Sequence, residues 1–315
     1  MKVVVLGSAG FIGKNLCVAL RERRDCSVLS VTRETAVTEW ETALGAGDVV
    51  VHLAGVNRPD DPGEFATGNS DLTAAVCASL RRLSRSVPVV FASSIQAQRD
   101  NPYGRSKRAA EEHLRAYSDE AGARVSVFRL PNVFGKWCRP DYNSVVATFC
   151  HNVVNGVPLT IHDPSTPVRL VYIDDVVSAF MDAIFRPPSG LYEVPEIAPV
   201  YELSVGALAE QIVAFSKVRD SLVVERVGGG LVRALHSTYA SYLDPEHFTY
   251  PLSMHSDDRG TFAEMLKTKD SGQFSFFTAH PGVTRGGHYH HSKTEKFLVL
   301  RGRARFRFRH ILSND

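Results

Sequence analysis

The run VVVLGSAGFIGKNLCVAL, residues 3–20, decides the fold. Val3, Val4, Val5 and Leu6 form an unbroken apolar stretch, the pattern of a short strand buried on both faces, and Gly7 ends it. Gly7 and Gly10 then permit a tight turn that brings backbone close to a pyrophosphate, and Gly13 lets the helix that follows, Phe11 to Leu20, lie against the sheet. The N–H groups at the start of that helix, at Phe11 and Ile12, have no partner within it and face the phosphates. Three glycines alone also mark ordinary turns. Their place between a buried strand and a helix is what makes them a nucleotide signal.

Outward from this unit the same alternation repeats. Ser27 to Val31 reads as a second strand ending at Thr32 and Arg33, where an NAD-binding unit carries an acid for the ribose 2′-hydroxyl. Neither residue is acidic. Arg33 offers a planar, permanent charge that suits a 2′-phosphate, so NADPH is expected over NADH, with Glu34 next door as the opposing feature. Asp48 to Leu53 (DVVVHL) reads as a third strand closed by Ala54 and Gly55, and Val87 to Ala92 (VPVVFA) as a fourth. Asp48, Leu53, Ala54 and Gly55 are expected to join the glycine turn in holding the cofactor. Strands alternating with helical stretches mean an α/β fold with a parallel, doubly wound Rossmann sheet.

Composition sets the limits of function. A chain of 315 residues, 44% hydrophobic and 22% charged, can bury one large core and a second small one. Its formal net charge of +2 lacks the broad basic surface that nucleic acid needs, so small molecules are the expected partners. Cys17, Cys26, Cys77, Cys138 and Cys150 are odd in number and nowhere spaced CxxC, which reads as reduced thiols of the cytoplasm. The first residues are too short an apolar run for a signal peptide, and no segment of about 18 apolar residues suggests a membrane anchor.

The chemistry is expected at the end of the fourth strand. Ser93 and Ser94 close it, where open α/β sheets bind ligands, and nine residues after Ser94 comes Tyr103-Gly-Arg-Ser-Lys107. Four residues apart on a helix, Tyr103 and Lys107 share a face, so the ammonium is expected to favour the ionised phenol and lower its pKa from about 10. A tyrosine so tuned gives a proton to an alkoxide forming at a carbonyl, and Ser94 holds the same oxygen.

GSAGFIG, HLAG, FASS, YGRSK, RLPNVFG (129–135) and RLVYIDDV (169–176) together resemble the extended short-chain dehydrogenase/reductase family that acts on nucleotide sugars. The resemblance implies that Tyr103 is the catalytic acid/base, that Lys107 also holds the nicotinamide ribose, that Ser94 polarises the substrate, and that Asn132 and Arg169 lie near the sugar nucleotide. The interval from Ser94 to Tyr103 is shorter than is usual there, a trimmed loop. Dehydratases of this kind carry an Asp-Glu pair just after the active-site Ser or Thr. Here Ile95 and Gln96 follow, which argues against elimination. Epimerases retain one NAD, whereas Arg33 fits an exchangeable phosphorylated cofactor and net reduction of a ketone. The alternatives are a 4-epimerase, a reductase of another 4-ketosugar, or a non-catalytic NADP(H) sensor. Sensors commonly lose the Tyr or the Lys, and both are present.

From about residue 244 the pattern turns to short aromatic and alternating runs, an all-β signature. FLVLRGRARFRFR (297–309) alternates like a strand pair turning at Gly302, with Arg303, Arg305 and Arg307 on its solvated face. Gly282, His288, His290, Glu295 and Gly302 match the first motif of the cupins in full. Two histidines at i and i+2 point the same way from a strand, and a carboxylate from the next completes three ligands for a divalent metal, zinc first among zinc, iron, nickel and manganese. Cupins add a fourth ligand from a second motif about fifty residues on, beyond Asp315, so the cupin-like jelly roll is expected to be partial. DRGTFAE (258–264) and GVTRGGHY (282–289) also resemble the sugar-nucleotide 3,5-epimerases, in which the match to His288 is a base; ligand, base or neither stays open. A reductase over residues 1–243 joined to a cupin over 244–315 resembles the CapF-like capsule-synthesis enzymes. That resemblance implies a UDP-linked 4-keto-6-deoxy amino sugar, epimerised at C3 and reduced at C4 with NADPH, and a homodimer is expected.

Overall fold

Strand β1 (Lys2–Leu6) is buried from Val3 to Leu6, with Val3 and Val5 in one hydrophobic core and Val4 and Leu6 in another. Alternation along a strand sends successive side chains to opposite faces, so a strand apolar throughout must lie between two layers. The structure is a computed structural model that describes residues 1–83, 85–187 and 189–313. From β1 the chain runs through α1 (Phe11–Arg21), β2 (Ser27–Val31), α2 (Val37–Ala46) and β3 (Val49–His52). It continues through α3 (Leu72–Arg82), β4 (Val89–Ser94), α4 (Pro102–Ala121) and β5 (Val125–Leu130).

Beyond β5 come β6 (Asn132–Phe134), α5 (Val145–Val154), β7 (Pro167–Tyr172), α6 (Ile173–Phe185) and β8 (Tyr192–Glu193). The large sheet has the order β2-β1-β3-β4-β5-β8, and every pairing in it is parallel. This is the doubly wound sheet expected from the sequence. Leu16 and Leu20 of α1 and Val176 and Phe180 of α6 fill the core on one face. Leu44 of α2, Val76 and Leu80 of α3 and Leu114 and Tyr117 of α4 fill the other. Strand order reverses between β1 and β3, which opens a crevice at the carboxyl edge beside the glycine turn.

A smaller sheet pairs β6 with β7 in parallel and β7 with β9 (Tyr201–Ser204) in antiparallel. Helices α7 (Val205–Ser216) and α9 (Gly230–Ala240) pack on α5, with the short α8 (Val218–Ser221) and β10 (Val223–Val224) between them. No helix among the described residues is long and apolar enough to cross a membrane.

The chain divides into two compact units, Met1–Leu252 with Glu264–Phe274, and Ser253–Ala263 with Ser275–Asp315. In the first, β10 pairs with the latter half of β12 (Gly260–Thr268), at Val223↔Lys267. In the second, β11 (Met254–Asp257) runs antiparallel to the first half of β12, from Met254↔Ala263 to Asp257↔Gly260. Strand β13 (Gln273–Phe277) follows, and past Phe277 the described residues hold no further strand. The strand pair expected at 297–309 is therefore a correction. The chain does turn at Gly302, φ +85°, and the Phe297 and Phe306 rings approach to 5.3 Å, yet no ladder joins the two arms. A two-stranded ribbon needs a third strand or a covering layer, and here Leu298 and Phe308 stand 82% and 86% exposed.

At Gly13 the helix and turn meet backbone to backbone. A Cβ there would stand 2.2 Å from the Gly7 carbonyl oxygen and 2.8 Å from Ser8 Cα, neither of which can swing aside. Gly13→Ala is expected to cost about 1–3 kcal/mol of stability. Thermal unfolding with and without nucleotide checks this, and an unchanged midpoint would contradict it.

Candidate active site

Gly7 adopts φ +84°, and the N–H groups of Gly7 and Ser8 both donate to the Val31 carbonyl, at 2.9 and 3.2 Å. The turn therefore rests on the end of β2, with its other side against Ala54, whose N would lie 2.7 Å from a Cβ at residue 7. Gly10 caps α1 with no side-chain hydrogen bond, and no acid occupies the first turn. Free N–H groups and the positive end of the helix dipole there favour a phosphate. Gly7, Gly10, Phe11, Ile12, Gly13, Leu53, Ala54 and Gly55 thus gather at one edge, as read from the sequence.

Asp48 does not join them. It precedes β3, and its carboxylate accepts the Lys2 N–H at 2.7 Å, at the end of β1 opposite the glycine turn. The strand begins one residue later, at Val49, which leaves Asp48 as an anchor for the start of β1.

At the end of β4 the two serines part. Ser93 turns inward and donates to Glu111 Oε1 at 2.5 Å. Ser94 caps the short turn Ile95–Gln98, accepting the Gln96 N–H at 3.2 Å, and its hydroxyl adjoins the Tyr103 phenol. Helix α4 begins in register for this, because Asn101 accepts the Gly104 N–H at 2.7 Å and Pro102 occupies the first turn. Tyr103 and Lys107 follow one turn apart. The Tyr103 ring leans on Phe65 at 5.5 Å.

Lys107 is 6% exposed, donates to the Ala92 carbonyl at 3.0 Å and sits 4.9 Å over the Phe91 ring. Burial pulls its ammonium down to about 8, opposed by Glu111. Burial also raises the Tyr103 phenol above its ordinary value, with Ser94 acting against it. The expected lowering of the phenol by Lys107 is a correction: the ammonium is spent on the Ala92 carbonyl, and loss of water around the ring dominates. Lys107 Nζ lies 3.4 Å from where a Cβ on Gly55 would stand, so it faces the cofactor edge.

Residues missed in the sequence surround this lysine. His52, at the end of β3, is fully buried and its Nε2 meets Thr73 Oγ1 at 3.0 Å. Burial, then Lys107, push it down to about 3, so it is neutral. Thr73 donates to the Asn69 carbonyl at 2.7 Å. The Asn69 amide clamps Val56 from both sides, at 2.8 and 3.0 Å, and reaches Ser106 at 3.1 Å. Asn69 sits in a π-helical turn, Ala66–Asp71, a local widening common at functional sites. An imidazole inside the apolar run VVVH was the available signal for His52.

Near the end of β2, a cavity of about 490 Å³ is lined by Ser8, Ala9, Lys14, Arg21, Thr32 and Trp137, among others. Arg33 is exposed just past it. Thr32 Oγ1 donates to Glu34 at 2.6 Å, and this bond holds the Glu34 carboxyl below the usual range. Asn132 and Arg169 lie on neighbouring strands, the Asn132 amide donating to the Arg169 carbonyl at 3.2 Å, while the Arg169 guanidinium pairs with Glu202 at 2.8 Å. A second groove, lined by Arg81, Arg85, Ser86 and Glu120, lies near the start of β4, away from this edge.

In the second unit, ligand atoms of His288, His290 and Glu295 all lie within 4.8 Å of one another. His290 Nε2 is 3.6 Å from Glu295 Oε1, and Lys293 reaches the same oxygen at 3.0 Å. Lys293, then the two histidines, hold the Glu295 carboxyl below the usual range. Two imidazoles and an ionised carboxylate converging this closely fit a divalent cation. All three are exposed, on chain that forms no ladder.

Residues 3–194 match the NAD dependent epimerase/dehydratase family, and residues 255–315 the polysaccharide biosynthesis C-terminal domain. The chain is 56% identical over 313 residues to the UDP-2-acetamido-2,6-beta-L-arabino-hexul-4-ose reductase of Pseudomonas aeruginosa, spanning 99% of its own length and 84% of the relative's. It is 40% identical, with a TM-score of 0.84, to the crystal structure of the capsular polysaccharide assembling protein CapF from Staphylococcus aureus, over 93% of this chain and 79% of that one. The UDP-glucuronic acid 4-epimerase of Bacillus cereus in complex with NAD, 18% identical with a TM-score of 0.65 over 77% of this chain and 98% of that one, shares the fold.

Proposed function

The chain belongs to the NAD dependent epimerase/dehydratase family, in its CapF-like group, and from that premise we propose that it reduces a UDP-2-acetamido-2,6-dideoxy-4-hexulose at C4 with NADPH. Residues 1–243 form the reductase and residues 244–315 a partial cupin that epimerises C3 with a bound divalent metal. The product leads to UDP-N-acetyl-L-fucosamine and capsular polysaccharide precursors, made in the cytoplasm by a homodimer. One observation carries this reading: Ser94, Tyr103 and Lys107 converge beside an edge whose glycine turn and helix start suit a pyrophosphate.

NADPH, when bound, supplies the hydride. Ser94 donates a hydrogen bond to the C4 carbonyl oxygen, and Tyr103 gives that oxygen its phenolic proton as it becomes an alkoxide. A phenol raised by burial keeps its proton at neutral pH, the state a donor needs for reduction. Lys107 would hold the ribose hydroxyls beside Ala54 and Gly55. Arg169, released from exposed Glu202, and Asn132 would hold the nucleotide diphosphate. In the second unit His288, His290 and Glu295 would hold the metal.

A second reading, an NAD-dependent 4-epimerase, is favoured by Glu34, whose carboxylate lies beside Thr32 at the end of β2, where it can accept from ribose hydroxyls. Incubation with NADPH and a panel of UDP- and dTDP-4-ketosugars separates the two. Stoichiometric loss of reduced-cofactor absorbance is expected, and C4 inversion without net loss would favour the epimerase. Arg33→Ala is expected to weaken NADPH binding by about 1.5–3 kcal/mol while leaving NADH nearly unchanged. Equal losses for both cofactors, by fluorescence titration, would remove Arg33 from 2′-phosphate recognition.

A further inference from the structure

Glu111 is a carboxylate in the core, 4% exposed, one helical turn beyond Lys107 on α4. Ser93 donates to it at 2.5 Å, and the Arg129 guanidinium donates from Nη2 at 2.6 Å and Nε at 3.1 Å. Ser93 and Arg129 are register partners on β4 and β5, so the sheet itself presents both donors to one carboxylate. Burying an ion pair costs more than an apolar pair of the same size would, so these residues call for a role beyond stability. Their neighbour supplies one.

We propose that Glu111, held in place by Ser93 and Arg129, is a positioning residue that keeps the buried Lys107 ammonium charged so that it can hold the cofactor. This rests on the reading of Lys107 as part of the reductase site. Around Lys107, β4 offers only the Ala92 carbonyl and the Phe91 ring. From β3 comes His52, which is neutral, and from the π-turn the uncharged Asn69. On α4 itself stand Tyr103 and Glu111, and β5 adds Arg129 behind Glu111. Tyr192 of β8 donates to the Glu111 backbone carbonyl at 3.4 Å, and its ring carries the Arg115 guanidinium at 3.9 Å. Among the described residues, Glu111, four positions from Lys107 on the same helix, is accordingly the charged side chain that acts to keep the proton on Lys107 against its burial. Arg129, a third exposed, offsets part of that charge.

The two partners therefore act on Lys107 with opposite sign. Removing the negative charge in Glu111→Gln is expected to move the Lys107 titration down by about one pH unit, and removing the offsetting charge in Arg129→Gln to move it up by a smaller amount. The lysine is charged below its pKa, so kcat/KM for NADPH is expected to fall as pH rises through about 8 in the parent protein. That limb moves to lower pH in Glu111→Gln and to higher pH in Arg129→Gln. Heteronuclear NMR of the lysine-labelled, cofactor-free protein, with Lys107 assigned through Lys107→Arg, reads the same titration without turnover. If both variants lose thermal stability while the Lys107 titration stays put, the pair is structural only and the proposal falls. Should Glu111→Gln not fold, the upward shift in Arg129→Gln supports the proposal and no shift there overturns it. A titration that moves as expected in a protein that reduces no 4-ketosugar leaves the role of Glu111 standing and removes the reductase reading.

Discussion

Tyr103→Phe is expected to lower C4 reduction by about 10²–10⁴-fold while leaving NADPH affinity nearly intact. The substitution removes one hydroxyl and keeps the ring that packs on Phe65. Lys107 does not depend on that hydroxyl, since its ammonium is held by the Ala92 carbonyl. Nor does the glycine turn, which is built on Val31 and Ala54. The loss should therefore appear in the chemical step, as a fall in single-turnover rate at saturating cofactor. Because burial raises the phenol, the parent enzyme should hold its proton throughout the neutral range, and its alkaline loss of activity should follow Lys107 first. Reduction near the parent rate in Tyr103→Phe would put the proton donor elsewhere, with Ser94 the next residue to test.

His288→Ala is expected to abolish solvent-deuterium exchange at C3 of the ketosugar, because it removes a ligand of the metal that would stabilise the enolate, while NADPH is still oxidised with substrate already epimerised. Proton abstraction beside a ketone needs a base and an electrophile to stabilise the enolate, and no nicotinamide. Hydride transfer in turn needs nothing from His288, His290 or Glu295. Tyr103→Phe should accordingly retain the exchange that His288→Ala loses, and removal of metal by a chelator should mimic the latter. For this chain the exchange itself should be slow, because the three side chains are exposed to water, where a charge-stabilising site is weakest. Mass spectrometry of product formed in deuterated water reads both arms. Brisk exchange in His288→Ala would take the C3 chemistry out of this cluster, and brisk exchange in the parent chain would show that an exposed, strand-free site suffices.

How much of this was legible before folding depends on distance along the chain. The strand, glycine turn and helix of residues 3–20 follow from local rules: an apolar run, a turn that only glycine tolerates, and a helix that starts without a capping side chain. The pairing of Tyr103 with Lys107 is equally local, one turn of one helix. So is the gathering of His288, His290 and Glu295, which lie within eight residues of chain. The 297–309 run shows the limit of such patterns, since alternation describes a strand's faces and only a partner makes the ladder.

Tertiary structure decided the rest. Ser93 and Ser94 read alike in sequence, but the pleat sends one to Glu111 and the other to the Tyr103 phenol. The register of β1 with β3 puts Asp48 beside Lys2, at the end of the sheet opposite the glycine turn. Arg129 lies 18 positions beyond Glu111 and reaches it only because β5 pairs with β4. The sign of the Tyr103 shift was the clearest reversal. Spacing alone brings the ammonium near the phenol, whereas packing removed water from the ring and tied the ammonium to a carbonyl. The sequence by itself determined the sheet, the glycine turn and the pairing of Tyr103 with Lys107 on one helix, because those rest on neighbours within a few residues. Their charge states rest on which distant segments bury them, and only the folded chain decides that.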